Sequence, residues 1–131
     1  MKYLGIDFGE QRVGVAVSDG EGKIAFPRIV IPNGSELMRK IAEIIASEGV
    51  EKIVVGDTRS HGGAENPITE KADAFVSRLE TETRLPVTTM WEMWSSIEAS
   101  RHAPKKGSHE DAAAAAVILQ RYLDIHVNAV E

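Results

Sequence analysis

Four carboxylates of this 131-residue chain stand at the ends of predicted secondary-structure elements, where they could act on one phosphodiester. They are Asp7 at the end of the first apolar run, Asp57 and Glu92 just after two later runs, and Asp111 in the first turn of the last predicted helix. Oxygen ligands of this kind suit Mg²⁺ or Mn²⁺, and the chain has no cysteine to bind a softer metal. Two such ions held by shared carboxylates can activate a water molecule and stabilise the leaving oxygen of a phosphodiester.

Each acid also has a purely structural interpretation, and the residues alone leave both open. Asp7 precedes a Phe-Gly pair, and Asp and Gly both favour turns. Asp111 is the third residue after Ser108, where an acid caps the first turn of a helix and complements its dipole. Asp57 and Glu92 could be ordinary solvated loop residues. The two interpretations differ in whether the fold brings the acids together.

The strands that would position the acids are short runs of apolar and β-branched residues. Five such runs are predicted, over residues 2–6, 12–18, 23–31, 53–55 and 86–90. Tight turns join the first three, which predicts an antiparallel meander, and Pro27 inside the third indicates an edge strand or a bulge. The fourth run is continuously apolar, as expected of a strand that is buried on both faces and parallel to the first.

After the third strand, the period of the apolar residues changes to that of helices. Helices are predicted over 35–47 with Gly49 as the stop, from Asn66-Pro67 onward, from the capping box 95–98, and from Ser108 to about Leu123. The order βββαβαβαα predicts an α/β fold with a mixed five-stranded sheet flanked by helices. In such sheets, sites gather at the carboxyl ends of parallel strands, where Asp7, Asp57 and Glu92 would emerge together.

Composition and charge limit the class of protein. The chain is 43% hydrophobic and 27% charged, has no linker or repeat, and is predicted to form a single domain over residues 1–131. No apolar run approaches the roughly 20 residues of a membrane span and no secretory signal opens the chain, so we expect a cytoplasmic protein without membrane contact. The net charge of −5 argues against a non-specific nucleic-acid binder, although acids that bind metal ions are compatible with such a partner.

The opening sequence resembles a known family. Residues 5–19, Gly-Ile-Asp-Phe-Gly-Glu-Gln-Arg-Val-Gly-Val-Ala-Val-Ser-Asp, are similar to the start of the YqgF family, whose members are described as Holliday junction resolvases and as nucleases that mature pre-16S ribosomal RNA. Further matches follow in order at 53–56, Gly63, 85–87, Glu92, Ser95, 98–99, Asp111, 113–115 and 118–123. Gly5 and Gly9, on either side of Asp7, would let a phosphate or a metal ion approach the backbone.

The resemblance implies a ribonuclease H-like fold and a metal-dependent nuclease. Its active site would consist of Asp7 on the first strand, Glu92 after the fifth, and Asp111 at the start of the last helix, with all three as ligands of Mg²⁺ or Mn²⁺. The substrate would be structured nucleic acid, first of all pre-16S rRNA, with four-way DNA junctions as the alternative. The protein would be a monomer or a weak homodimer.

Basic residues are the candidate contacts to the nucleic-acid backbone. Four are expected in this role: Arg12, Arg59, Lys105 and Lys106. Arg12 matches the family and could reach a phosphate beside Asp7, or instead pair with Glu10 or Asp19. Where the family usually has an arginine after the glutamate, this chain has Met93, which cannot replace its bidentate hydrogen bonds. We therefore expect substrate binding to depart from the family pattern more than metal binding does.

Two other functions fit parts of the sequence. A nucleic-acid-binding or ribosome-associated module without catalysis would fit the acidic pI of about 5.4 and the missing arginine. An ATP-binding protein would fit the Gly-Ile-Asp-Phe-Gly stretch, which also resembles the phosphate loop of actin-like kinases. Those proteins bind nucleotide between two such domains, whereas this chain is long enough for one, so the nuclease is the preferred hypothesis.

Overall fold

The computed structural model describes residues 1–57, 67–91 and 108–128, and five strands and three helices lie in these ranges. The strands are β1 (Tyr3–Phe8), β2 (Arg12–Ser18), β3 (Ala25–Pro32), β4 (Lys52–Asp57) and β5 (Val87–Trp91). The helices are α1 (Leu37–Glu48), α2 (Pro67–Thr83) and α3 (Ser108–Tyr122), and a π-helical turn, Leu123–Val127, follows the last. The helix predicted from residues 95–98 lies outside the described ranges.

The five strands form one mixed sheet in the order β3-β2-β1-β4-β5. β2 is antiparallel to both β1 and β3, whereas β4 is parallel to both β1 and β5. The predicted meander and the predicted parallel strands are thus confirmed. Ile6 pairs with Val55 and Gly56 with Met90, so the carboxyl ends of β1, β4 and β5 emerge at the same edge of the sheet.

β3 lies at one side of the sheet, as Pro27 predicted. Proline has no N–H to donate to a ladder and is found at edges and bulges. The register between β2 and β3 shifts between Val15 and Ala16, and Ala16 is paired with Pro27. The proline therefore occupies both an edge strand and an irregularity, in agreement with its chemistry.

Side chains alternate between the two faces of the sheet along each strand, and helices cover both faces. Leu4, Ile6 and Phe8 of β1 face α1 and α2. Six residues of these two helices that were predicted to face inward are buried: Leu37, Ile41, Ile44, Ala72, Phe75 and Leu79. On the opposite face, Tyr3 packs with the buried side chains of α3. Asp7, between Ile6 and Phe8, therefore belongs to the face that α3 covers.

The ends of the helices differ slightly from those predicted from the periodicity of the sequence. α1 begins at Leu37 rather than at residue 35, because the Leu37 N–H donates to the carbonyl of Gly34 at 3.2 Å and closes a turn first. It ends as predicted, with Gly49 in the left-handed region at φ +74° and its N–H donated to Ile45. Beyond α3, Asn128 closes the unpredicted π-helical turn by donating its N–H to Leu123 at 2.7 Å. Across the part of the chain with described positions, no helix is long and apolar enough to cross a membrane.

Glu48, at the end of α1, joins this helix to the residue before β1 and to the edge strand β3, and it gives the fold a testable pH dependence. Its carboxylate accepts hydrogen bonds from Lys2 Nζ at 3.0 Å and Arg28 Nε at 3.1 Å, and these bonds hold the pKa of Glu48 below its usual value. A lowered carboxyl pKa stabilises the fold above the ordinary value of about 4.3, and this contribution is lost as the pH falls through the folded-state pKa.

We therefore expect Glu48→Gln to lower the free energy of unfolding at neutral pH by up to about 1 kcal/mol, since the ion pairs are partly exposed. Wild type and variant should converge in urea unfolding as the pH falls below about 4. Glu43→Gln, which removes an exposed pair with Arg39, is the control and should change stability less. A Glu48→Gln effect of equal size at neutral and acid pH would contradict this role.

Candidate active site at the carboxyl edge of the sheet

Asp7 lies inside β1, which continues to Phe8, and it is not a turn residue. It is half-buried and pairs across the antiparallel ladder with Gly14 of β2. Because Gly14 has no side chain, β2 adds no side-chain bulk directly beside the Asp7 carboxylate. The turn interpretation of Asp7 is therefore wrong. A half-buried carboxylate needs hydrogen-bond donors or a cation to offset its lost hydration, which keeps the ligand interpretation open.

The turn between β1 and β2 requires Gly9. A Cβ at Gly9 would stand 2.6 Å from the carbonyl oxygen of Arg12, closer than real Cβ contacts come. Asn33, after β3, fixes the same turn: its side-chain amide donates to the Gly9 carbonyl at 2.8 Å and its backbone N–H donates to Gln11 at 2.9 Å. The chain that leaves the strand of Asp7 is thus tied to the end of β3.

Gly5, two residues before Asp7 and on the same face, sets how closely α3 packs on β1. A Cβ at Gly5 would stand 2.6 Å from the Cβ of Leu119 and 3.0 Å from the carbonyl oxygen of Ala115. Strand and helix therefore touch at their backbones, and the space over Gly5 is filled by α3. The expectation that Gly5 leaves the backbone open to phosphate or metal is wrong, because α3 covers it. Gly9 is required by the tight turn, and its expected role beside a ligand stays a prediction.

From the packing of α3 on β1 we expect the turn that contains Asp111 to lie near the level of Asp7. Tyr3 packs on Tyr122 near the end of the helix, with ring centroids 6.0 Å apart, and Gly5 packs on the preceding turns, so the helix runs antiparallel to the strand. Two strand residues span about 6.6 Å and one helical turn about 5.4 Å, so each step of two residues along β1 matches about one turn of α3. The step from Gly5 to Asp7 matches the step from the middle of the helix to its first turn.

The ends of β4 and β5 lie at the same edge as Asp7. Asp57 is the last residue of β4 and pairs with Trp91, the last residue of β5. Glu92 follows Trp91 directly and lies outside the described residues, so its role stays a prediction. The basic residues Arg59, Lys105 and Lys106 lie outside the described residues as well.

Two described basic residues approach this edge. Arg12 is exposed at the start of β2, next to the end of β1, because its neighbour Val13 pairs with Phe8. Lys71 of α2 reaches the turn between β1 and β2, where its Nζ is 3.5 Å from Glu10. Lys71 was not identified from the sequence. Its spacing of seven residues from Arg78, two turns along one side of the helix, is the signal that could have indicated it.

The donors available at this edge fit a hard divalent cation. Among the described side chains, no three His, Asp or Glu gather closely enough to hold a metal ion, and of the three predicted ligands this set includes Asp7 alone. The predicted set consists of carboxylates, and the chain has no cysteine or thiolate donor. Carboxylate oxygens suit Mg²⁺, Mn²⁺ or Ca²⁺ rather than softer metals.

Comparison with known sequences identifies relatives along nearly the whole chain. Residues 1–125 match the family model RuvX, described as Holliday junction resolvase. A protein of Nitratidesulfovibrio vulgaris (strain Miyazaki F) named "Putative pre-16S rRNA nuclease" is 40% identical over 134 residues, which cover 95% of this chain and 94% of the relative. A relative of the same name from Oleidesulfovibrio alaskensis is 37% identical and covers 95% of this chain and 93% of its own.

Comparison with solved structures identifies the fold. RuvC of Thermus thermophilus superposes with a TM-score of 0.63 at 18% identity, covering 98% of this chain and 97% of RuvC. The same enzyme in complex with its Holliday junction substrate gives a TM-score of 0.62, covering 95% and 94%. The strand order and the helices on both faces thus form a ribonuclease H-like fold, which confirms the expectation from the opening sequence.

Proposed function

The chain belongs to the RuvX family, and from this membership we propose that it is a nuclease that uses divalent metal ions to hydrolyse phosphodiester bonds of structured nucleic acid, with pre-16S rRNA as its substrate. Relatives named for this RNA match almost the full length of the chain, which supports RNA over DNA. The observation that supports the proposal most is the contact between Gly5 and α3, which packs the helix that contains Asp111 against the strand that contains Asp7.

Asp7, Glu92 and Asp111 would hold Mg²⁺ or Mn²⁺ in this proposal. When bound, such ions activate a water molecule and stabilise the leaving oxygen of the phosphodiester. Asp7 contributes a carboxylate whose backbone is fixed, because β1 is the central strand and is hydrogen-bonded to β2 and β4 on its two sides. A fixed carboxylate needs little reorganisation when charge develops in the transition state.

Binding of the nucleic-acid backbone requires local positive charge in a chain whose net charge is −5. We assign this role to Arg12, exposed at the same edge as Asp7, together with three basic residues of the segments between the described ranges: Arg59, Lys105 and Lys106. The absence of an arginine at Met93 leaves these four with a larger share of phosphate binding than in the family pattern.

Resolution of four-way DNA junctions is the second candidate function, favoured by the description of the family and by the fold shared with RuvC. Symmetric cleavage of a junction needs two active sites and therefore a dimer. A monomer or weak homodimer, as proposed for this chain, suits cleavage of one RNA strand at a time.

A side-by-side nuclease assay tests the proposal and includes metal removal. The purified full chain should cut pre-16S RNA in Mg²⁺ or Mn²⁺, lose this activity in EDTA, and regain it when metal is restored, since hydrolysis depends on metal-activated water. A synthetic four-way DNA junction is the second substrate. Cleavage of the junction in preference to the RNA would favour the resolvase, and no cleavage of either substrate in either metal would contradict a nuclease.

A further inference from the structure

A cleft of about 280 Å³ opens on the opposite face of the sheet from α3, beside the same carboxyl edge. Its apolar wall includes Phe8, Leu37, Met38 and Phe75, and Lys71 and Arg78 of α2 also line it. The volume is at the lower end of the roughly 300–1,000 Å³ of small-molecule sites, so the cleft suits a single ring system rather than an extended ligand.

The aromatic part of the cleft is rigid. The rings of Phe8 and Phe75 are 4.8 Å apart between centroids, tilted by 32°, and each residue is only 7% exposed. Aromatic pairs in this arrangement are held by packing and by their quadrupoles. Because little of either ring is exposed, the pair offers the cleft a small, fixed apolar surface that one side of a planar group can contact.

The charge of the cleft favours an anion beside that planar group. Among the described residues that line the cleft, Lys71 and Arg78 carry charge and none is a carboxylate. Their side chains are 62% and 63% exposed, and they pair at the surface with Glu10 and Glu82, respectively. Exposed ion pairs of this kind are weak, so a phosphate can displace the carboxylates.

We propose that this cleft binds one nucleotide of a single-stranded segment that passes over the carboxyl edge from the scissile bond, with the base against the exposed edges of Phe8 and Phe75 and a phosphate on Lys71 and Arg78. Because Phe8 directly follows Asp7 in β1, the cleft and the candidate active site lie on opposite faces of the sheet at the same carboxyl edge, and a nucleic-acid strand that passes over this edge can reach both. The proposal rests on the nuclease function, since it names the part of the substrate that lies beside the cut. An unpaired base enters such a cleft without the cost of breaking a base pair, so the substrate would have a single-stranded end or loop near the cut.

A substitution that fills the cleft tests whether a base binds there. Ala74 is exposed on α2 and lines the cleft, so Ala74→Phe should fill it without disturbing the core. The probe is a short fluorescein-labelled single-stranded RNA, measured by fluorescence anisotropy in EDTA so that binding is separate from cleavage. We expect the dissociation constant to rise about tenfold, near the lower end of the effect of losing one bound base. Ser77→Phe, exposed on the same helix and outside the cleft lining, should bind as the wild type does.

Reversing the charge of Lys71 tests whether this residue binds a phosphate. Lys71→Glu should weaken RNA binding and lower the slope of log K against log salt by about 0.7 for the lost phosphate contact. Lys23→Glu is the matched control: Lys23 is 65% exposed and 3.3 Å from Glu21, at the opposite edge of the sheet. A merely structural role of Lys71 would leave the salt slope unchanged.

The outcomes separate this proposal from the nuclease function. If the wild type cleaves RNA but Ala74→Phe and Lys71→Glu bind the single strand as their controls do, the nucleotide cleft is overturned and the nuclease stands. If the two variants lose binding but the wild type does not cleave in Mg²⁺ or Mn²⁺, the cleft stands and the nuclease fails. Equal loss of binding to a blunt duplex of the same sequence would also overturn the proposal, since its bases are paired.

Discussion

We expect Asp7→Asn to slow cleavage of pre-16S RNA by about a thousandfold or more while the protein keeps its fold. Loss of one charged metal ligand removes several kcal/mol of transition-state stabilisation, and each 1.4 kcal/mol is a factor of ten in rate. The fold should survive because asparagine has nearly the same shape and the Asp7 backbone stays paired with Gly14. Removing charge from a half-buried position also lowers the cost of desolvation.

The measurement is single-turnover cleavage in Mg²⁺ and in Mn²⁺, with a thermal melt of each protein. Asp19→Asn is the matched control, since Asp19 accepts the N–H groups of Lys23 at 2.7 Å and Ile24 at 3.2 Å at the opposite edge of the sheet. That variant should cleave as the wild type does, even if it is slightly less stable. Wild-type cleavage by Asp7→Asn would remove Asp7 from the mechanism.

Gly5→Ala should destabilise the protein by about 1–3 kcal/mol, the usual cost of forcing an extra methyl group into a packed interface. The new Cβ would stand 2.6 Å from the Cβ of Leu119 and 3.0 Å from the carbonyl of Ala115, neither of which can rotate away. α3 must therefore move off β1. We expect cleavage to fall as well, because the first turn of that helix would move away from Asp7.

Urea unfolding gives the stability of Gly5→Ala, and cleavage is measured well below its thermal midpoint so that only folded protein is compared. Gly20→Ala is the control, because a Cβ at Gly20 would meet nothing within 4 Å. Its stability and activity should equal those of the wild type. If Gly5→Ala were as stable and as active as Gly20→Ala, the close seating of α3 on β1 would not position the site.

Much of the fold could be predicted because its signals are local. Pro27 indicated an edge strand, Gly49 the end of the first helix, and the apolar run 53–55 a buried parallel strand, and the structure bears out all three. Each signal is a property of one residue or of a short run: a missing N–H, a left-handed φ, or burial on both faces.

The structure differs from the predictions made from the sequence where residues that are distant in the chain come into contact. β1 continues to Phe8 because that ring packs on Phe75 of α2, a contact between residues far apart in sequence. The π-helical turn after α3 depends on Asn128, whose side-chain amide donates to the carbonyl of Gly22 at 2.9 Å. Gly5 was interpreted as open backbone because its neighbour in space, Leu119, belongs to the other end of the chain.

In the candidate site, too, some features follow from local sequence signals and others depend on contacts between distant residues. The rule that parallel strands share one carboxyl edge predicted that Asp7 and the end of β4 come together, and the structure places both there. Whether Asp7 is a strand or a turn residue depended on its pairing with Gly14, which the sequence does not reveal. The cleft beside Phe8 was missed, because it forms between elements that are distant in the chain. Asp7, Glu92 and Asp111 all stay predictions as metal ligands.

Titration of Mn²⁺ into the full chain, followed by the electron paramagnetic resonance signal of the free ion, tests the shared metal site most directly. We predict that Asp7→Asn, Glu92→Gln and Asp111→Asn each weaken Mn²⁺ binding at least tenfold, since even changes around a ligand cost about 10–100-fold. Asp124→Asn, which keeps an acceptor oxygen for Gln120 far from the site, should bind Mn²⁺ as the wild type does. Wild-type Mn²⁺ affinity in Asp7→Asn would contradict the shared site.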